Sequence, residues 1–376
     1  MPPHHDRMTE DQRVIMALSL VPQLGAQRIR SLLRAVETPS DIFKLNSKEL
    51  LAIHGIGKQV AAAVAGFKDW EKVDRIVAVT EKLNALIITP GSQYYPVQLR
   101  EIYDSPLLLW VLGDPEALGG DNIAVVGTRT PTAYGISMAE LFVEGLAAHQ
   151  VTIISGLAYG IDTIAHKKAL DCRAKTVAVL GSGIDRIYPN ANIPLAHRIL
   201  KNGGAVISEF PPGTNPDAGN FPMRNRIVSG LSLGVLVIET GLTGGSMITA
   251  NSALDQNREV FIVPHANDSK LGHGCNKLIK EGYGKLVQHI GDLSDEITFR
   301  HIPAGPAADN PSPGRWRDKK LRKELGPICA LLEDGPLHID MIAARLDRNG
   351  SQLLADLLEL EFIGCIRQKA GKIFQL

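Results

Sequence analysis

From Asn122 onward, short apolar runs alternate with amphipathic segments. IAVVG precedes a helical pattern reaching about His149, and VTIIS precedes one reaching about Leu170. TVAVLG, AVISE, VLVI at 235–238 and VFIVP at 260–264 continue the series. Apolar runs this short, closed by Gly, Ser or Glu, predict strands covered on both faces, and the segments between them predict successive βαβ units. The expected fold class is α/β: an extended Rossmann-like, doubly wound, mostly parallel sheet. Such sheets bind ligands beyond the C-terminal ends of their strands. The residues just after each strand are therefore the candidates for chemistry.

The flanks have other periods. Residues 9 to about 70 read as short helices, and LVPQLGAQRIRSLL from Leu20 echoes AIHGIGKQVAAAV from Ala52. Aligning Leu24-Gly25 with Ile56-Gly57 matches apolar positions, as in a tandem helix-hairpin-helix whose glycine turns expose helix amides to a DNA backbone. A helical packing domain without DNA contact fits the same pattern, and the two readings stay open. Residues 85–88 and 107–112 predict two lead-in strands. The Pro-, Gly- and Ala-rich residues 301–320 read as a linker, with six basic residues between Arg315 and Lys323 and Asp318 among them. Beyond it, helices near 324–333, 338–346 and 351–360 and strands at 363–367 and 373–376 predict a winged helix. Its third helix shows Asp356, Glu359 and Glu361, which repel phosphate, so this unit is expected to contact protein rather than read bases. The expected domains are 1–75, helical; 76–300, Rossmann-like; 301–320, linker; and 321–376, winged helix.

Composition narrows the partners. Forty Lys+Arg balance forty Asp+Glu, so a polyanion would have to bind a local patch. The four cysteines (Cys172, Cys275, Cys329, Cys365) form no CxxC pair, which argues against a zinc module or disulfide framework and suits a reducing compartment. No apolar run approaches the roughly 20 residues of a membrane helix. A soluble, cytoplasmic protein with no membrane partner is expected.

The densest chemistry lies in FPMRNRIVSGLSLGVLVIETGLTGGSMITA, 221–250. A strand feeds a helix through Gly244 and Gly245, with Ser246 placed to cap it, and helix-start amides attract phosphate. Arg224, Asn225 and Arg226 add donors, and Phe221 is either a base-stacking face or core. Arg129, after the first strand, is an arginine that a tight turn does not require. Ser155-Gly156 and Gly181-Ser182 end two other strands. Asp162 and His166 stand one helical turn apart, as a helix-stabilising or core-satisfying pair. The first turn, GTRTPTAYG, is not GxGxxG, and TGLTGGSMIT lacks the P-loop lysine, so NAD, FAD and ATP hydrolysis are not expected. No catalytic set, metal site or cofactor is expected.

Along nearly its whole length the chain resembles the bacterial DNA-processing protein A (DprA/Smf) family. The resemblance rests on VVGTRTPTAYG at 125–135, SGLAYGIDTIAH at 155–166, AVLGSGIDRIYPNAN at 178–192, SEFPPG at 208–213, FPMRNRIVSGLS at 221–232 and ETGLTGGSMITA at 239–250. It implies an N-terminal SAM-like or helix-hairpin-helix domain and a C-terminal winged helix. It implies a non-enzymatic protein that binds and protects single-stranded DNA during natural transformation and loads a RecA-type recombinase. It also implies a homodimer through residues 275–287, between Cys275 and Val287. The DNA site would be Arg129, Ser155, Gly156, Gly181, Ser182, Phe221, Arg224, Asn225, Arg226, Gly244, Gly245 and Ser246. Three positions depart from the family pattern: Tyr159 stands where many relatives carry a base, His265 where glycine usually follows the proline, and His273 is extra.

Two rivals remain. A nucleoside-monophosphate phosphoribohydrolase shares this architecture, but the turn lacks that class's proline and Ala250 stands where its glutamate is sought; Glu239 at the strand end keeps the alternative open. The other is a recombinase scaffold with a vestigial pocket.

Overall fold

The computed structural model describes residues 8–301, 316, 321–322, 324–363, 365–369 and 372–376. Nine strands form one sheet: β1 (Leu86–Ile88), β2 (Leu109–Gly113), β3 (Asn122–Val126), β4 (Thr152–Ser155), β5 (Thr176–Val179), β6 (Ala205–Ser208), β7 (Gly234–Val237), β8 (Glu259–Ile262) and β9 (Lys285–Leu286). Their order is β1-β2-β6-β5-β4-β3-β7-β8-β9. From β6 to β9 every pair is parallel; Ala124, for example, faces Ile154 on one side and Val235 on the other. The lead-in strands β1 and β2 add antiparallel at one end. The winding reverses between β3 and β7, where ligand crevices form in such sheets.

Side chains alternate across each strand. Ala124 and Val126 of β3 pack with Val235 and Val237 under α10 (Asn220–Gly230) and α11 (Gly245–Asp255). Ile123 and Val125 pack on the other face with Phe142, Val143 and Ile161, from α7 (Ala133–Ala148) and α8 (Ile161–Asp171). Two-sided burial is why the strands read as unbroken apolar runs. The remaining helices of this unit are α9 (Ile193–Lys201), α12 (His273–Lys280) and α13 (Ile290–Ser294).

The N-terminal helices are α1 (Glu10–Ser19), α2 (Ala26–Arg34), α3 (Ser47–Leu51), α4 (Lys58–Ala65) and α5 (Trp70–Lys82), with α6 (Val97–Glu101) following β1. The sequence echo is a repeat of backbone shape. Gln23 and Gly55 both have positive φ (62° and 85°). Gly25 and Gly57, two residues on, are both N-caps with ψ near 169° and 168° and no side-chain cap. Leu24 and Ile56 are buried between them.

The boundary expected at residue 75 falls inside α5. Val14, Met16 and Leu18 of α1 share one apolar cluster with Leu108, Trp110, Leu180 and Val206 of the sheet unit. The described residues up to His301 accordingly make one compact unit and those after it a second.

The second unit has α14 (Gly326–Leu332), α15 (Ile339–Leu346) and α16 (Gly350–Phe362), with β10 (Leu337–His338), β11 (Arg367–Lys369) and β12 (Ile373–Gln375). The short strand β10, not expected from the sequence, pairs with β12. Leu353, Leu357 and Leu360 of α16 face its core. Asp356 pairs with Arg348 at 2.8 Å and with Arg322 at 3.6 Å, and Glu359 with Arg322. Two of the acids expected to repel phosphate are thus already neutralised within the unit. The turn at Ala370-Gly371, most of the 301–320 linker and, of its basic run, all but Arg322 lie outside the described residues.

Candidate functional site

At the switch point, the turns after β3 and β7 and the start of α10 enclose a cavity of about 310 Å³. Arg129, Ala158, Phe221, Arg224, Asn225 and the Gly244–Ser246 turn are among its lining residues.

The turns are locked together through their backbones. Thr128 N–H donates to the Glu239 carbonyl at 2.7 Å and Ile161 N–H to the Thr128 carbonyl at 3.1 Å. Gly160, φ +74°, lies so close to Thr128 and Arg129 that any Cβ would overlap their backbone. Asp162, in the first turn of α8, accepts from the amides of Gly156 (3.1 Å) and Ala158 (3.3 Å). It is fully buried. Burial pushes its carboxyl above the usual carboxylate range, against the Arg224 charge and those two amides.

Arg224 is buried as well, at 4% exposure. Its guanidinium donates to the carbonyls of Gly156 (2.6 Å) and Val179, and its Nε donates to Asn225 Oδ1 at 3.2 Å. Burial lowers its pKa to about 10, with Asp162 acting in the opposite direction. Arg224 therefore buttresses the cavity floor, and its charge reaches the cavity from behind. Arg129 is the exposed cation. Both guanidinium carbons lie 5.8 Å from the half-buried Phe221 ring centroid. The ring rests on Gly181, where a Cβ would come within 3.0 Å of it, and the exposed Tyr188 ring stands 5.9 Å away.

The α11 terminus completes the wall. Its N-cap is Gly244 and no side chain caps it. The sequence expectation of a Ser246 cap is corrected here: Ser246 lies inside the helix, and its hydroxyl donates to Thr240 Oγ1 at 2.7 Å. The first-turn amides of α11 are left without a side-chain partner beside the cavity, which suits an anion. Asn225 Nδ2 donates to the Gly245 carbonyl at 3.3 Å and fixes α10 to this turn.

The structure therefore brings Arg129, Phe221, Arg224, Asn225, Gly244, Gly245 and Ser246 together, and separates the rest from the cavity wall. Arg226 projects from the other side of α10. It is bound to Glu209 and, at 3.1 Å, to Asp104. Ser155 is wholly buried, with its hydroxyl on the Val125 carbonyl at 2.7 Å. Ser182 is spent on the Arg186 carbonyl at 2.5 Å. Gly156 and Gly181 act from beneath, one holding Arg224 and the other seating Phe221.

Sequence reasoning passed over Asp162 as an organiser of the 156–160 turn. The signal was its place two residues after Gly160, at a helix start. His166 does not bond Asp162. Its Nδ1 donates to Thr176 Oγ1 at 2.7 Å, since that hydroxyl is itself committed to the Ile153 carbonyl. Burial, then the Arg224 charge, lowers its pKa to about 3. Glu239 is fully buried and accepts from both the N–H and the hydroxyl of Thr132 at 2.8 Å. The carboxylate that kept a hydrolase in view is thus consumed by the start of α7. His265 packs beside it against Gly272 and donates Nε2–H to the Ile238 carbonyl at 2.8 Å. Among the described residues no His/Cys/Asp/Glu group could hold a metal, and no helix is long and apolar enough to cross a membrane.

Helix-start amides, arginines and one aromatic shelf at the switch point of a Rossmann-like sheet have the chemistry that suits a ligand with phosphate and a flat ring. Residues 86–298 match the family of the DNA recombination-mediator protein A, and residues 310–372 match the DprA winged helix domain. The chain is 39% identical to Protein Smf of Escherichia coli (strain K12) over 298 residues, 79% of each chain. It is 43% identical to the DNA processing protein DprA of Streptococcus pneumoniae over 205 residues, 54% of this chain and 72% of the relative. The solved structure of the Streptococcus pneumoniae DprA superposes with a TM-score of 0.67 at 34% identity, covering 78% of this chain and all of that one. DNA processing protein A from Helicobacter pylori, solved to describe its single-stranded DNA binding mode, gives 0.50 at 29% identity, covering 56% of this chain and 97% of that one. The chain belongs to the DprA/Smf family.

Proposed function

We propose that this protein binds single-stranded DNA in the switch-point cavity, with a phosphate at the α11 terminus and Arg129 and a base on Phe221. The observation that carries the reading is the Phe221 shelf: a half-buried ring seated on Gly181 beside an exposed arginine and an uncapped helix start. Stacking and backbone charge tolerate any sequence. The binding mode named for the Helicobacter pylori relative supports the same ligand. The protein acts without catalysis, since Glu239 is committed to Thr132 and His166 is sealed in the core.

In the cytoplasm it would protect DNA taken up in natural transformation and load a RecA-type recombinase on it, as a homodimer. Cys275 and Val287 are themselves buried, but between them Leu286 on the sheet's last strand and Tyr283 just before that strand are about half exposed, which suits that dimer.

The test is fluorescence anisotropy of labelled oligo-dT, single- against double-stranded, over a salt series, for wild type and Arg129→Ala. Single-strand preference weakened by the substitution supports the reading. Absence of binding at low salt, with ribose phosphate released from a nucleoside monophosphate, would replace it by the hydrolase. Recombinase loading is read as filament growth on DNA covered by single-strand-binding protein.

A further inference from the structure

Two grooves lie where the helical lobe meets the sheet unit. One, about 690 Å³, runs between the α2 hairpin (Gln23, Gly25, Arg28) and Met223 and Arg226 of α10. Its cations are engaged: Arg226 by Asp104 and Glu209, and Arg28 by the Gln23 carbonyl at 2.7 Å. Asp104, half exposed, also lines it.

The other groove, about 510 Å³, runs between α5 and the loop after β6, where Pro211, Pro212, Gly213 and Thr214 form one wall and Lys72, Arg75, Ile76 and Val79 the other. Lys72 and Arg75 are exposed one turn apart, and among the described residues neither has a carboxylate within 4.0 Å. Nearby acids are mostly tied: Asp74 pairs with Arg13 at 2.6 Å, and Asp185 accepts from the Gly213 amide at 2.8 Å. Glu71 is the exposed carboxylate on the same helix turn.

This groove is joined to the cavity by one loop. Residues 180–189 carry Gly181 under Phe221, Tyr188 beside it, and then Asp185 in the groove itself. Gly183 N–H donates to the Thr214 carbonyl at 2.9 Å, and Arg186 Nη1 to Asn215 Oδ1 at 2.6 Å, so the loops after β5 and β6 form one knitted wall. This wall carries Tyr188 beside Phe221 at the cavity and Asp185 in the groove, across from Lys72 and Arg75 of α5.

We propose that single-stranded DNA leaves the cavity over Tyr188 and runs along this groove, with Lys72 and Arg75 each neutralising a phosphate. The inference rests on the cavity being a single-strand site. It assigns the helical lobe to DNA binding through the side of α5, where the lobe and the sheet form one compact unit, rather than through its glycine hairpins.

The experiment compares a dT oligomer of about 4 nucleotides with one of about 20, a span that brackets single-strand site sizes. Wild type, Lys72→Gln/Arg75→Gln and Arg28→Gln/Lys58→Gln are titrated over a salt series, with thermal melts to confirm folding. For the longer oligomer, the first double variant should flatten the log–log salt slope by about 1.4, from two phosphates at about 0.7 each. The short oligomer should bind wild type and both variants alike, and the hairpin variant should match wild type throughout. An unchanged slope in the α5 variant, or a loss confined to the hairpin variant, overturns the route. Binding of neither oligomer by wild type overturns the single-strand reading itself.

Discussion

Arg224 Nη1 sits 2.6 Å from the Gly156 carbonyl oxygen, and a Cβ built on Gly156 would lie 2.6 Å from Nη2. Each residue is shaped to the other, and both stand beneath the cavity. Arg224→Ala should therefore act first on folding: two buried carbonyls lose their donor and Asp162 loses its cation. A loss of about 2–5 kcal/mol is expected in urea denaturation, at about 1–3 for each buried acceptor left unpaired. Gly156→Ala should destabilise in the same direction by expelling the guanidinium. Loss of DNA binding in Arg224→Ala with full stability would place this arginine on the ligand instead.

Arg129→Ala should do the opposite. The side chain is exposed, so stability should stay within about 0.5 kcal/mol of wild type. The salt slope of single-strand binding should fall by about 0.7, for one phosphate. Equal slopes would remove Arg129 from the interface.

Phe221→Ala should weaken single-strand binding by about 1–3 kcal/mol, the range for one stacked base. Phe221→Trp should retain the shelf. Unchanged affinity in a folded Phe221→Ala protein would leave the ring as a cover for Gly181 alone.

His166 gives a pH signature. Its folded pKa, about 3, lies below the unfolded value of 6.5, so below pH 6.5 the unfolded chain binds a proton that the folded one refuses. This contribution to stability is complete above pH 6.5 and is lost as pH falls toward 3, at up to about 1.4 kcal/mol per unit. Asp162, raised by burial, titrates in the opposite sense at the acid end. Subtracting the denaturation curves of His166→Asn from those of wild type isolates the histidine. A difference that does not vary between pH 7 and 4 would contradict a buried neutral ring.

Leu286→Glu should lower the mass measured by light scattering from that of a dimer to that of a monomer, while leaving the melting temperature of the sheet unit unchanged. A wild type that is already monomeric at high concentration would remove the dimer from the proposal.

The parallel sheet was legible because each strand is buried on both faces and announces itself as an apolar run. β10 was not: Leu337 and His338 are two half-buried residues, too few to show a period. The cavity was legible through Arg129, which a tight turn does not require, and through the Gly244-Gly245 turn into a helix with Phe221 and its arginines close by in the sequence. Arg226 misled because sequence gives a guanidinium's position and not its direction; Asp104 and Glu209, far along the chain, decide it. Arg224 looked like a surface cation for the same reason, since the carbonyls of Gly156 and Val179 that hold it carry no residue signature. The shared core of lobe and sheet was hidden too, because α5 joins them with no Pro- or Gly-rich break.

The two ends of the nine-stranded sheet differ. At β1 the Gln12 side chain from α1 donates to the Ile87 carbonyl at 3.0 Å, so part of the outer rim of that strand is already occupied from within the chain. At β9 no further strand follows among the described residues. Strand-to-strand addition is thus hindered at β1 and open at β9. In the proposed dimer, two copies joined back to back at β9 would leave no free strand edge there for a third copy.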